Sequence, residues 1–120
     1  MEDINIIYHN DYGIAFHWKR GLGKDAKKIQ LVFRDTGLFF TKKELSQFYY
    51  HIQKSLENPG LCEKCKEVGD CRAILLETPM SQISFAVSYT ELKNIEDLVN
   101  GTLFKLGLDK ILQQQSINKI

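Results

Sequence analysis

The chain has no apolar run long enough to cross a membrane as a helix, and no surplus of charge of one sign. Sixteen Lys and Arg stand against fifteen Asp and Glu, a formal net charge of +1. No global field therefore steers the protein onto nucleic acid or an anionic lipid surface, and either partner needs a local patch. The opening Met1-Glu2-Asp3 lacks the basic region, long apolar core and small-residue cleavage site of a secretory leader. Cysteine is scarce, and its odd number, three, leaves at least one thiol outside any internal disulfide. Cytoplasmic residence is the resulting expectation, and there the thiols stay reduced. Repeats and low-complexity tracts are missing too. What remains, 120 residues at 43% hydrophobic and 26% charged, fits one α+β domain spanning 1–120.

The apolar pattern reads as strands first. Ile4 to Tyr8 and Tyr12 to Trp18 form an opening hairpin about Asn10-Asp11. In its second strand Tyr12, Ile14, Phe16 and Trp18 share one face, and Ala15 and His17 the other. Ile29 to Phe33 and Leu38 to Phe40 form a second hairpin, whose short loop Gly37 closes with a positive φ. Thr41-x-x-Glu44 is a capping box, and Leu45, Phe48, Tyr49, Ile52 and Leu56 recur at helical spacing to about Glu57, where Asn58-Pro59-Gly60 stops the helix. A third hairpin joins Ala73–Glu77 to the alternating Ile83, Phe85, Val87 and Tyr89. Ser88-x-x-Glu91 caps a second helix that ends or bends near Gly101, followed by a short last helix from about Asp109 and a frayed tail at 116–120. The expected fold is an antiparallel sheet of about six strands with two main helices on one face. Ser84, Ala86 and Ser88 would line a flat, uncharged strip suited to homodimer pairing.

Chemistry concentrates in the connector Asn58–Arg72, which carries Cys62-x-x-Cys65-x5-Cys71. Two thiolates at this spacing reach one metal ion and a third can loop back, so one structural zinc is a candidate cofactor. Zinc needs a fourth ligand, and His51, near the end of the helix that delivers the connector, is the best placed in sequence. The spacing also matches part of a Cys-x2-Cys-x5-Cys-x3-Cys iron–sulfur run, but Leu75 stands where the fourth cysteine belongs. A redox dithiol at Cys62 and Cys65, flanked by Lys64, Lys66 and Arg72, is the alternative. Its topology is reversed, since thioredoxin-like pairs follow a strand and open a helix. Three inert reduced thiols are the plain reading.

Lys19 to Lys28 is glycine-bearing and basic, and Lys19, Arg20 and Lys24 are its candidate anion or nucleic-acid ligands. Asp25 after Lys24 departs from the nucleotide-binding Gly-x4-Gly-Lys-Ser/Thr pattern, so a solvated loop competes with that reading. His9 and His17 read as strand residues, without a Ser or Asp constellation around them. Trp18 and Phe39-Phe40 read as packing.

The two-hairpin start, Thr36-Gly-Leu-Phe-Phe-Thr-Lys-Lys-Glu-Leu45, the Cys-x2-Cys-x5-Cys-Arg connector and Ser84-Phe-Ala-Val-Ser-Tyr-Thr-Glu-Leu92 stand in this order. In that order the chain resembles the small bacterial families known as domains of unknown function. The resemblance spans nearly the whole chain and implies the α+β fold, with no activity attached. The functional expectation is a non-enzymatic interaction or structural module, binding itself or another protein.

Overall fold

The computed structural model describes residues 3–19, 27–57 and 71–118, with 108–118 as helical backbone. The elements are β1 (Ile4–His9), β2 (Gly13–Trp18), β3 (Ile29–Phe33), β4 (Thr36–Phe40), α1 (Lys42–Glu57), β5 (Ile74–Glu77), β6 (Ser84–Val87) and α2 (Tyr89–Asn118). All six expected strands form and all pair antiparallel, but in two sheets. β1-β2-β3-β4 is a four-stranded meander, and β5-β6 is a separate two-stranded hairpin. The division follows from β5 leaving the long connector to pack on α1, while β4 remains an edge of the first sheet.

Local chemistry sets where the strands begin. The Asn10 side chain accepts the backbone N–H groups of Tyr12 and Gly13, both at 2.9 Å, which holds residues 10–12 in a turn. β2 therefore opens at Gly13. Tyr12 leaves the expected aromatic face and lies on the helix side, its ring stacked 5.9 Å from Phe33. α2 also crosses close to Gly13, where a Cβ would come within 2.8 Å of Leu98 Cδ2.

The β3–β4 loop is Arg34-Asp35, bracketed by the Phe33–Thr36 pair. Its positive φ falls on Arg34, at 56°, and not on Gly37, which lies inside β4 opposite Val32. A non-glycine residue in this region carries strain of about 1 kcal/mol or more. The Arg34 side chain supplies a reason for its retention, donating to Ala86 O at 3.4 Å and standing 3.6 Å from Glu91.

The two capping boxes form as expected. Glu44 N–H donates to Thr41 Oγ1 at 3.1 Å while Thr41 N–H donates to Glu44 Oε1 at 2.9 Å. Ser88 and Glu91 repeat the exchange at 3.0 Å in both directions. Each box satisfies N–H groups that a helix start otherwise leaves unpaired. Leu45, Phe48 and Ile52 from α1, and Leu92, Ile95, Leu98 and Val99 from α2, are buried against Ala15, Ile29, Leu31, Phe33, Leu38 and Phe40. Both helices thus lie on one face of the four-stranded sheet. Ile74, Leu76 and Val87 of the hairpin join the same core.

The expected break near Gly101 does not occur, because α2 runs unbroken from Tyr89 to Asn118. Gly101 is a contact point: a Cβ there would run into the Tyr8 ring, whose hydroxyl is held by both Asp97 carboxylate oxygens at 3.0 and 3.2 Å. The glycine lets β1 and the helix approach, and intact hydrogen bonding on either side carries the helix through it. The separate last helix is accordingly a continuation of α2.

Candidate functional site

Cys62 and Cys65 lie outside the described residues, as do Arg20 and Lys24. Cys71 is a free, exposed thiol three residues before β5. Its neighbour Arg72 is clamped, with Nε and a terminal NH2 donating to the two oxygens of Glu91 at 2.9 and 3.0 Å. This bidentate geometry fixes orientation as well as distance. The end of the cysteine connector is therefore tied to the first turn of α2, and the Cys71 backbone starts from a fixed point.

Glu91 is the hub of that region. Besides Arg72 it receives the Tyr12 hydroxyl at 3.0 Å and the Ser88 N–H, and Arg34 lies within ion-pair distance. Burial alone would push its carboxyl up. The Arg72 hydrogen bonds, the Ser88 N–H, Tyr12 and Arg34 outweigh burial and hold it at about 2. Tyr12 moves the other way, pushed up to about 12 by burial and then by its bond to the Glu91 carboxylate. Four separated segments converge here. Sequence spacing revealed only the Ser88–Glu91 cap, because the other partners come from the first and second hairpin turns and the connector.

His51, the expected fourth metal ligand, is half-buried on α1, with Nδ1 3.7 Å from Glu77 Oε2. A carboxylate beside one ring nitrogen is the usual setting of a metal-ligating histidine. Glu77 ends β5, whereas Cys71 precedes its start. The imidazole pair and the thiol thus stand at opposite ends of a strand about 10 Å long. Among the described residues, no group of three or more His, Cys, Asp or Glu is placed to hold a metal ion.

A cavity of about 400 Å3 opens beside His51 and Glu77, with Ser81 and Ser84 also on its wall. Ser, His and Glu sharing a cavity escaped the sequence reading. Acyl transfer would need a serine hydrogen-bonded to the imidazole, and among the described residues neither serine makes that bond. Every buried side-chain nitrogen or oxygen described here has a hydrogen-bond partner.

The other distinctive surface is the sheet face turned away from the helices. The register places Ile4, Ile6, His9, Ile14, Phe16, Trp18, Gln30, Val32 and Phe39 there, and the Lys28 ammonium stands over the Phe39 ring, 5.2 Å from its centroid. Ile6 is 57% exposed and Phe39 40%, while Phe16 packs edge-on against Trp18 at 5.1 Å and Trp18 Nε1–H donates to Gln30 at 3.1 Å. The strip expected at Ser84, Ala86 and Ser88 is smaller than anticipated. Ser84 and Ala86 are exposed beside Leu75, but Ser88 is buried as the cap of α2.

His17 lies on the helix side of the sheet, where its Nδ1–H donates to Lys28 O at 2.9 Å. Lys19 is exposed at the end of β2, and its backbone N–H donates to Asp3 O. Among the described residues no helix is long and apolar enough to cross a membrane. No family model, curated protein or solved structure matches the chain, so no activity is carried over from a relative.

Proposed function

We propose that the protein is a non-enzymatic interaction module that pairs with a second copy of itself through the outer face of the four-stranded sheet. The observation that carries this reading is the row of uncharged Ile, Phe, Trp and Val side chains on that face, opposite both helices. A predominantly apolar surface is suited to meeting its own copy about a two-fold axis, with the Lys28 ammonium held over the Phe39 ring. Sheets pack face to face at about 10 Å through such side chains. Four strands of about five residues, 3.3 Å per residue and 4.8 Å between strands, give a face of roughly 300 Å2 in plan. A standard interface removes about 800 Å2 per partner, so the dimer belongs to the weak, concentration-dependent class.

Sedimentation equilibrium tests the proposal. Covering the exposed part of Ile6 contributes about 1–1.5 kcal/mol in each copy, so Ile6→Glu weakens pairing about 100-fold or more. Leu75→Glu, exposed on the separate hairpin, leaves it intact. A wild-type monomer at every concentration, or equal disruption by both substitutions, contradicts the reading.

A second reading concerns the connector: Cys62, Cys65 and Cys71 hold one structural zinc. It is supported by the Arg72 clamp, which pins the backbone next to an exposed thiol. Elemental analysis of protein made without added metal is expected to give about one zinc per chain. Fully folded, metal-free protein contradicts it. A redox role for Cys62 and Cys65 would instead require a thiolate forming well below pH 8.5 in an alkylation profile.

A further inference from the structure

A cleft of about 260 Å3 lies between the end of β2, the start of α1 and the middle of α2, lined by His17, Lys27, Ile29, Lys42 and Leu106. Beyond His17 and Leu106 it adjoins a second depression of about 290 Å3 bordered by Lys105. Among the described residues, no carboxylate lines either one. Among the described residues, none of the three lysines makes an ion pair. Solvated lysines are ordinary surface, but these surround an apolar floor: Ile29 is buried and Leu106 partly so. The His17 imidazole forms a fixed wall, because its Nδ1–H is committed to the Lys28 carbonyl. Lys42 occupies the first residue of α1, where the helix's own partial positive charge disfavours a cation. Its charge is better explained by an anion across the cleft than by the helix it begins.

We propose that this cleft binds a small organic carboxylate, its apolar body on Ile29 and Leu106 and its charged head between Lys27 and Lys42. At about 30 Å3 per water-sized group, the volume admits an acid of roughly eight or nine non-hydrogen atoms. Convergent polar groups over an apolar floor are the usual make-up of such sites. Lys19 is not among the residues that line the cleft, and the proposal does not depend on the pairing or zinc readings.

The test is titration of the 15N-labelled full chain with sodium hexanoate, with 1-hexanol and inorganic phosphate as separate arms. The expected result is saturable shifts centred on His17, Ile29 and Leu106, with a Kd on the order of 1 mM. Hexanol and phosphate give no comparable saturation. Lys27→Gln and Lys42→Gln, both at exposed positions, each weaken hexanoate binding several-fold, while Lys43→Gln on the same helix does not. Absence of saturation, equal binding of hexanol, equal binding of phosphate, or equal losses in Lys43→Gln each overturns the proposal.

Discussion

Replacing Glu91 by Gln keeps the shape of the α2 cap and an oxygen to accept the Ser88 N–H, but removes the charge that Arg72 and Arg34 face. The folded-state carboxyl titrates at about 2 against an ordinary value of 4.5. That difference corresponds to about 3 kcal/mol. Glu91 itself is only 14% exposed, but Arg72 is 56% exposed, so solvent screening lowers the expected loss to about 2 kcal/mol. Because the folded value lies below the unfolded one, the contribution is complete above about pH 4.5 and drains away as the pH falls towards 2. Urea unfolding of wild type and Glu91→Gln from pH 7 down to pH 3 reads the effect. The variant should be less stable at pH 7 and the gap should narrow in acid. A gap that stays constant over this range, or one below about 0.5 kcal/mol at pH 7, refutes the assignment of Glu91 as an electrostatic hub.

The same hub fixes Tyr12, whose hydroxyl is pushed up to about 12. In Glu91→Gln it falls back towards the ordinary tyrosine range, and an unchanged value in an ultraviolet alkaline titration contradicts the pairing. Two glycines of α2 should behave oppositely on replacement by Ala. Gly101→Ala forces the Tyr8 ring aside and costs about 1–3 kcal/mol. Gly107→Ala meets nothing within 4 Å and stabilises by about 0.5–1 kcal/mol; equal signs in thermal melts refute the close approach at Gly101. Thr41→Ala removes the acceptor for the Glu44 N–H and costs about 1 kcal/mol, and no change in the unfolding midpoint counts against that cap.

Local features were legible in the sequence wherever adjacent residues determine them. The capping boxes at Thr41 and Ser88, the apolar stripe of α1, the His17 side of β2 and all six strands follow from short-range periodicity and side-chain-to-backbone bonds. What was not legible depends on distant partners. Gly101 looks like a terminator until Tyr8 is packed against it, and Gly37 looks like the turn residue until Arg34 is held at positive φ by Ala86 and Glu91. The division into two sheets arises because β5 packs on α1, which strand alternation does not encode. The metal candidates show the same limit: the spacing of Cys62, Cys65 and Cys71 is visible in sequence, whereas the pairing of His51 with Glu77 at the far end of β5 is not.

Trp18, the chain's one tryptophan, lies on the outer sheet face and is a built-in probe of self-pairing. Its emission, followed through serial dilution alongside the molecular mass, tests the central claim most directly. Pairing predicts a shift to longer wavelength as the mass falls from dimer to monomer, with Ile6→Glu at the long-wavelength limit throughout. Constant emission and a monomer mass across the whole series would contradict it.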